Sequence, residues 1–559
     1  MKQNVKILAC LMLVIIFLIS MNASAIKITK NTVATEEKII DIPELNFRKI
    51  VTNDEPGDID PLIDLELTVT IKEIRALDKI DRLSDPDFYV KVYINDELWW
   101  TTDVWKNQKY IREPISNTID VPDDEENVSI KIQLWDKNLG LDRLCDISGI
   151  YTDPGFDGRD IDIMYNLKTG HWRGDDYNTP DMLYEPSGYG HANGCDDNTY
   201  NREDRDCEIF FDITQNDYDG DGIPYWTEMN VYNKTGQCDP TQDDSGRDDD
   251  NDGVPIEWEH KWGHYFYYDW HDDELSHYWF YDPFVWENHS ALDIDEDGLQ
   301  NTEEYLTSQW GSDPHRQDIF LELDEMEVVD GKGSYVTQLT KDLLIDAYAR
   351  HNIIFYIDDY IETEMDGGEL IPFDEEVYAS GPNNEVHEIY RDYFLHGDYD
   401  NWRQGVFHYG MMVYFCRSDW GDNMPGFATR GGDEGYPYAD TFLISTSYHD
   451  EKDSKITLGI AIWYHGGEFN RAYRRASIYA GTMMHETGHI LGIHNGNTPG
   501  CDNRDTYKPR LFGWWKYGHY RSCMNYRFTP ILVQYSDGSH GKNDFDDWDR
   551  INLKRFQGD

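Results

Sequence analysis

The segment from His485 to His494 constrains the chain most, because it combines three histidines with one glutamate at fixed spacing. On an α-helix, His485 and His489 are four residues apart, so their imidazoles project from one face and can hold one zinc ion. Glu486 lies beside them and can act as general base toward a zinc-activated water. A straight helix would carry His494 away from the metal. Gly492 can adopt positive φ, end the helix and turn the chain back toward the zinc. His494 is therefore the expected third ligand.

This segment fits the pattern H-E-x-x-H-x-x-G-x-x-H, and a second motif follows it. Ser522-Cys523-Met524-Asn525-Tyr526 resembles the methionine turn beneath the zinc of metzincin metalloproteases, among them the reprolysin-like and pappalysin-like enzymes. The resemblance implies that Met524 and Gly492 support the metal site. It also implies that Tyr526 reaches the metal or the oxyanion of the substrate.

The surrounding residues 317–559 show the alternation of predicted strands and helices that is typical of an α/β domain. Segments 319–323 and 353–357 are strand-like and enclose a helical stretch over 339–349, which is typical of a βαβ unit. Further strands are predicted over 407–415 and 441–445, and the helix with His485 begins near Arg474. The resemblance to metzincins implies a mixed sheet whose edge strand pairs with an extended substrate.

Three acidic loops occupy residues 215–316. Each has carboxylates at loop positions 1, 3 and 5, glycine at 6 and glutamate at 12, which is the pattern of a calcium loop. Asp-Pro pairs follow the successive loops, so the segment resembles thrombospondin type 3 repeats or half EF-hands. The alternative is an acidic, solvated linker. The expected calcium ligands are Asp217, Asp219, Asp221 and Glu228, then Asp248, Asp250, Asp252 and Glu259, and finally Asp293, Asp295, Asp297 and Glu304.

Residues 61–214 alternate between apolar and polar side chains over 65–71, 88–94 and 128–134. Such runs predict antiparallel strands and hence a β-sandwich. Two acidic loops between them resemble those of the synaptotagmin-type calcium- and phospholipid-binding sandwich. The resemblance implies calcium ligation by Asp81, Asp87, Asp136 and Asp142. The ligand of the sandwich stays open among lipid, sugar and protein, and a purely structural sandwich is the alternative.

The first 60 residues and the overall charge indicate where the protein acts. Lys2 and Lys6 precede an apolar run, and Ala23-Ser24-Ala25 resembles a signal peptidase site, so residues 1–25 are predicted to be a signal peptide. Residues 26–60 are predicted to be a polar tail or a short pro-segment. The net charge of −59 argues against nucleic acid and favours bound calcium.

Export permits disulfides between the cysteines of the mature chain. Of the eight cysteines, Cys10 lies in the predicted signal peptide, which leaves seven. Proximity in the sequence suggests the pairs Cys195–Cys207 and Cys501–Cys523, and the odd number leaves at least one thiol outside intrachain pairs.

The sequence therefore predicts a multidomain protein with a β-sandwich, a calcium repeat segment and an α/β domain. The expected cofactors are zinc and calcium, and the expected partner is a protein or peptide substrate. The predicted activity is hydrolysis of internal peptide bonds in proteins, outside the cell or at its surface. Two alternatives remain: a calcium-dependent adhesion or matrix protein whose α/β domain is inactive, and a peptidase for short peptides.

Overall fold

The structure is a computed structural model that describes most of the chain after residue 64. It covers residues 48–50, 65–81, 84–122, 125–148, 158–175, 185–186, 190–197, 205–232, 236–269, 274–360, 365, 367–379, 384–417, 422–429, 440–455, 471–503, 512–529 and 532–557. The predicted signal peptide and nearly all of the segment 26–60 lie outside these residues. Within them, no helix has both the length and the apolar character needed to span a membrane.

The N-terminal part is a β-sandwich of two antiparallel sheets, as the alternating pattern predicts. In strand Asn127–Asp136 every second side chain is buried, which is expected of a strand with one face on a core. Leu67 and Val69 from one sheet share that core with Val90 and Ile132 from the other. The first sheet has the order His171–Gly174, Ile161–Asn166, Asn127–Asp136, Phe88–Ile94 and Glu97–Thr101, with Arg143–Leu144 beside Asn127–Asp136. The second has the order His191–Asn193, Cys207–Gln215, Glu66–Ala76 and Tyr110–Ile111, with Ile115–Asp120 beside Glu66–Ala76.

The middle segment combines the acidic loops with short helices and one small sheet. The helices are Tyr225–Thr227, Ile256–Trp262 and Asn301–Thr307, with a π-helical turn over Glu228–Tyr232 and 3-10 turns over Gly194–Asp197 and Ser308–Trp310. The small sheet has the order Arg48–Lys49, Glu274–Trp279, His264–Asp269 and Glu185–Pro186. Its Trp279 and Phe266 are buried, so the aromatic side chains of this region serve packing.

The C-terminal part is built on a mixed sheet. Its order is Ile354–Asp359, Asp318–Met326, Phe407–Val413, Thr441–Ser445 and Gly426–Ala428, with Leu370–Ile371 beside Asp318–Met326. The first four strands are parallel, and Gly426–Ala428 is antiparallel to Thr441–Ser445 at the sheet edge. The predicted βαβ unit is present, because helix Gln338–Ala349 connects strand Asp318–Met326 to strand Ile354–Asp359.

The helix Arg471–Ile490, called the motif helix from here on, packs on one face of this sheet. Its Met483 shares a core with Leu321 and Leu323, whereas Phe320 points into the core on the opposite face. The other elements of this part are helices Val386–Ile389, Thr446–Lys455 and Phe512–Lys516, a π-helical turn over Tyr390–Phe394, 3-10 turns over Trp548–Arg550 and Leu553–Gln557, and paired strands Val377–Tyr378 and Cys416–Arg417.

A buried polar network joins the sandwich to helix Gln338–Ala349. Asp346 on this helix accepts hydrogen bonds from Arg75 Nη1 at 3.2 Å, Lys109 Nζ at 2.8 Å and the Tyr110 hydroxyl at 2.7 Å. Burial alone would raise the pKa of Asp346, but Lys109 and Arg75 outweigh burial and hold it below its ordinary value. The helix also packs against the motif helix, so the network links the sandwich to that site.

The structure corrects the expected disulfides. None of the seven described cysteines forms a disulfide with another described cysteine. The Cys195 sulfur lies 3.6 Å from Asp206 Oδ2, and the Cys207 thiol is hydrogen-bonded with Cys145. Cys501 and Cys523 are both buried in the core beneath the motif helix. Closeness in the sequence therefore did not predict disulfide pairing correctly.

The substitution Asp346→Asn tests the network between the sandwich and the helix. We expect it to lower the free energy of unfolding by about 3 kcal/mol, because buried Arg75 loses a counter-charge. Because the folded pKa of Asp346 is depressed, its stabilising effect is present above about pH 4 and is lost as the pH falls through the folded value. Urea unfolding of the calcium-loaded chain at several pH values measures both effects.

The matched control is Asp120→Asn, which changes an exposed aspartate at the end of a sandwich strand. It should change the stability by less than about 0.5 kcal/mol. Equal effects of the two substitutions would contradict a stabilising role for the Asp346 network.

Candidate metal centre

The motif helix ends as the glycine in its sequence predicts. Gly492 has φ +105°, and its N–H donates to the His489 carbonyl at 3.1 Å. The Ile493 N–H donates to the Gly488 carbonyl at 2.7 Å, which completes a Schellman turn. The helix therefore stops one turn after His489, and the chain reverses direction there.

His485 and His489 face one another, and their Nε2 atoms lie 3.2 Å apart. His485 Nδ1 lies 2.9 Å from the Cys523 carbonyl oxygen, and His489 Nδ1 lies 2.7 Å from the Ile493 carbonyl oxygen. Since a carbonyl oxygen can only accept, Nδ1 carries the proton in both rings and the neutral form presents a lone pair at Nε2. This is the tautomer that binds metal.

Asp502 completes the cluster. The two Nε2 atoms lie 3.2 Å apart. Asp502 Oδ1 lies 3.2 Å from His485 Nε2, and Asp502 Oδ2 lies 3.2 Å from His489 Nε2. Zinc bonds of about 2.1 Å give a tetrahedron whose edges measure about 3.4 Å, close to these separations. The donor set of two imidazoles and one carboxylate fits a zinc site.

The electrostatics of the cluster favour a cation between these groups. Burial alone would lower the pKa of His485, but Asp502 and Glu486 outweigh burial and raise it to about 9. Burial would raise the pKa of Asp502, yet hydrogen bonds with His485 and His489 hold it well below its ordinary value. In the absence of a metal, the cluster therefore takes up a proton, and a divalent cation would take its place.

Met524 and Tyr526 both lie close to the motif helix. Met524 is fully buried under the motif helix, and a Cβ at Gly488 would lie only 2.6 Å from its sulfur. Tyr526 stacks on His485 with ring centroids 5.7 Å apart, and its hydroxyl has Asp502 as a hydrogen-bond partner. Met524 therefore packs against the helix that carries the two histidines, and the Tyr526 ring borders the cluster.

Glu486 lies between the metal cluster and the edge of the sheet. Its side chain is 5 % exposed, and burial raises its pKa, partly offset by His485 and His489. A Cβ at Gly426, in the edge strand Gly426–Ala428, would lie 2.2 Å from Glu486 Oε1. Only a glycine lets that strand approach the carboxylate so closely.

The structure brings a different third group to the two histidines than the sequence predicts. The group in which every ligand atom lies within 4.8 Å of the others contains His485, His489 and Asp502, and His494 is not a member. The half-exposed His494 ring instead bends back on its own loop, where Nδ1 accepts from the Gly496 N–H at 3.0 Å. No spacing motif identified Asp502. The N–H of Asp502 donates a hydrogen bond to the Met524 carbonyl, and this contact holds the loop that carries Asp502 in place.

The first acidic loop brings together the carboxylates that its pattern predicts. Asp217, Asp219 and Asp221 form one potential cation site. Asp221 and Glu228 form another with Asp244, which the sequence pattern did not indicate. Burial and the neighbouring carboxylates raise the pKa of Glu228 to about 9.

The third acidic loop lies against the start of the C-terminal sheet. Asp295, Asp297 and Glu304 have pKa values raised by burial and by one another. Asp297 Oδ2 accepts from the Asp318 N–H at 2.9 Å, and Asp293 pairs with Lys554 at 3.1 Å. The loop therefore contacts both the first strand of the sheet and the 3-10 turn Leu553–Gln557, called the C-terminal turn from here on.

The second acidic loop is arranged differently. Asp248 accepts hydrogen bonds from the N–H groups of its own loop, and both oxygens of Asp250 are buried without a hydrogen-bond partner in the described residues. Asp252 and Glu259 group with Glu287 and His289, neither of which was predicted from the loop pattern. The glycines at position 6, Gly222, Gly253 and Gly298, all have positive φ, as a calcium-type loop requires.

The predicted calcium ligands of the sandwich lie at one end of it, each held by protein donors. Asp81 accepts from the Ser84 hydroxyl and Asp87 from the Asn107 N–H. Buried Asp136 accepts from the Asp87 N–H and from Asn138 Nδ2. Asp142 accepts from the Tyr89 hydroxyl and from the Asn138 N–H. These aspartates stay predicted ligands.

Comparison with known proteins bears on this sandwich. Residues 65–146 match the family model of the C2 domain. Similar solved structures include a C2 domain, at 14% identity over 27% of this chain and 98% of that chain with a TM-score of 0.16. A C2 domain of plant extended synaptotagmin 1 is 12% identical over 28% of this chain and 96% of that chain, with a TM-score of 0.15.

Human GIVD cytosolic phospholipase A2 is 13% identical over 29% of this chain and 17% of that chain, with a TM-score of 0.17. No curated protein sequence matches the chain. The match of residues 65–146 to the C2 family model confirms the predicted synaptotagmin-like sandwich at the level of the C2 domain.

Two alanine substitutions distinguish the candidate third ligands. We expect Asp502→Ala to lower the affinity for zinc by about 100-fold or more, since it removes a ligand, and His494→Ala to leave the affinity nearly unchanged. Competition of each variant with a chromophoric zinc chelator measures the affinity. The reverse outcome, with His494 required and Asp502 dispensable, would restore the third ligand that the sequence predicts.

Proposed function

We propose that the chain is a zinc-dependent metalloendopeptidase of the metzincin kind, stabilised by calcium. One observation carries the proposal: His485 and His489 turn their Nε2 atoms toward Asp502, with Glu486 between them and the sheet edge. An inactive structural zinc site would have no use for a buried carboxylate beside its ligands. The methionine turn adds support, because Met524 packs against Gly488 beneath the two histidines.

The residues of the site suit the hydrolysis of a peptide bond. A zinc ion held by His485, His489 and Asp502 would supply Lewis-acid activation of a water molecule and of the substrate carbonyl. Glu486 takes the proton of the attacking water and then donates it to the leaving amine. Burial raises the pKa of Glu486 above its ordinary value, which makes the protonated carboxyl easier to form for the second step. The Tyr526 hydroxyl donates to the carbonyl oxygen as negative charge develops on it.

The edge strand Gly426–Ala428 provides the place for a substrate. One side of this strand pairs with Thr441–Ser445, and it is the terminal strand of the sheet in the described residues. An extended chain that adds to it passes next to Glu486, since Gly426 lies against that carboxylate. Strand addition requires no free terminus in the substrate, so internal peptide bonds are the proposed sites of cleavage.

Calcium and export belong to the same proposal. The acidic loops resemble thrombospondin type 3 repeats, and their buried carboxylates would repel one another without cations. Calcium in these loops would cross-link the sandwich to the C-terminal sheet. The predicted signal peptide supports action outside the cell or at its surface, where an enzyme that depends on calcium can remain loaded.

The substitution Glu486→Gln tests the proposed chemistry. We expect kcat for unfolded casein to fall by about 10³ to 10⁴-fold, because the general base is lost, while zinc remains bound. Mass spectrometry of the fragments measures cleavage, and elemental analysis measures zinc. The control Glu388→Gln changes an exposed glutamate on a short helix and should cleave as the parent protein does.

A zinc- and calcium-loaded parent protein that leaves unfolded casein intact would contradict the proposal and favour the adhesion alternative. Release of terminal residues alone would favour a peptidase for short peptides.

We further propose that the sandwich contacts lipid through the loop from Lys137 to Asp142. Leu139 and Leu141 are fully exposed there, at 112% and 89%, beside the predicted calcium ligands Asp136 and Asp142. The match to the C2 domain family supports a role in lipid contact. Because the chain is strongly acidic, insertion of apolar side chains suits it better than attraction to anionic headgroups.

A double substitution, Leu139→Ser with Leu141→Ser, tests this contact. We expect at least a tenfold loss of binding to phosphatidylcholine vesicles in calcium, because each leucine loses about 1.5 kcal/mol or more of burial. Vesicle cosedimentation measures the binding. Leu98→Ser is the control, since Leu98 is also exposed but lies near the opposite end of its sheet. Unchanged binding of the double variant would contradict lipid contact through this loop.

A further inference from the structure

The second acidic loop forms a site whose donors differ from those of a calcium loop. Asp252, Glu259, Glu287 and His289 each bring one ligand atom into a group whose members lie within 4.8 Å of one another. His289 Nε2 is 3.2 Å from Asp252 Oδ2 and 3.5 Å from Glu259 Oε1. His289 and Glu287 come from a segment more than twenty-five residues beyond the loop glutamate Glu259.

The imidazole nitrogen is aimed into the group and lacks a hydrogen-bond partner among the described residues. His289 is completely buried, and Trp258 and Tyr281 pack edge-on against its ring. Glu259 Oε1 and Glu287 Oε2 are likewise buried without hydrogen-bond partners in that part of the chain. Three buried ligand atoms that converge without hydrogen-bond partners make a cation their natural common partner.

The charge of the group leads to the same conclusion. Burial, together with the neighbouring carboxylates, raises the pKa of Glu259 to about 11 and that of Glu287 to about 8. At neutral pH these groups would hold protons unless a divalent cation replaced them. The Glu287 N–H also donates to Asp252 Oδ2 at 3.2 Å, so the backbone holds part of the group in place.

The nitrogen donor decides which kind of ion fits. Calcium and magnesium take oxygen ligands, whereas imidazole is a preferred ligand of zinc and other divalent transition metals. The two potential sites in the first loop, in contrast, consist of carboxylates alone. The separations of 3.2 and 3.5 Å also match the edge of about 3.4 Å expected around a zinc ion.

We propose that Asp252, Glu259, Glu287 and His289 bind a divalent transition-metal ion, of which zinc is the representative, in place of the calcium expected for this loop. The inference deepens the proposed cation-binding role of the acidic loops and is independent of the zinc on the motif helix. Binding through Nε2 requires the proton on Nδ1. In the structure the Asn301 Nδ2 atom lies 2.8 Å from Nδ1, and a 180° turn of the carboxamide brings its oxygen to the same place, where it accepts that proton.

The test uses the full chain with His485→Gln and His489→Gln, so that the motif helix no longer holds zinc. In excess calcium, we expect this protein to retain one zinc ion per chain. Adding His289→Gln should lower the zinc affinity by about 100-fold or more, while calcium still binds the loop, because glutamine offers calcium an oxygen. His396→Gln, which changes an exposed histidine elsewhere, is the control and should leave the zinc in place.

Zinc X-ray absorption of the protein that retains His289 gives a second, independent result. We expect one imidazole nitrogen among oxygen neighbours. A shell of oxygen alone, the absence of bound zinc, or an unchanged affinity after His289→Gln would overturn the proposal. None of these outcomes affects the proposed peptidase, because the zinc of the motif helix is absent from the protein that is tested.

Discussion

Buried negative charge is the constraint on which the rest of the structure depends. The chain carries a net charge of −59, and many of its carboxylates lie inside the middle segment with no hydrogen-bond partner in the described residues. Burial and mutual repulsion raise the pKa of Asp221 to about 6, of Asp250 to about 7 and of Glu228 to about 9. An acidic group that is compact at neutral pH needs protons or metal ions, and the arrangement of the loops provides for metal ions.

The third acidic loop connects the buried carboxylates of the middle segment to the candidate active site. Asp297 holds the N–H of Asp318, where the first strand of the C-terminal sheet begins. The C-terminal turn contacts the same loop, since a Cβ at Gly298 would lie 2.8 Å from the Cα of Lys554. The turn also reaches the end of the motif helix, because the Asn552 N–H donates to the Leu491 carbonyl. A cation in the third loop would therefore stabilise both the sheet and the helix that carries His485.

The sequence predicted those features that depend on local spacing. His485 and His489 share a helical face because they are four residues apart, Gly492 ends the helix because only glycine adopts its φ easily, and the sandwich strands follow from period-2 alternation. Asp502 was missed because its place beside the histidines is set by a loop packed under Met524. Gly426, Glu287 and His289 were missed for the same reason, since each meets its partners only through the tertiary fold. The disulfide pairs were wrong because closeness in sequence does not bring sulfurs together.

The most direct test of the account is anomalous diffraction at the zinc absorption edge from crystals of the full chain grown with zinc and calcium. The account predicts a zinc peak bonded to His485 Nε2, His489 Nε2 and Asp502, with Glu486 beside it and not bonded to it. A map without zinc at this position, or with His494 in the place of Asp502, would contradict the arrangement on which the proposed peptidase depends.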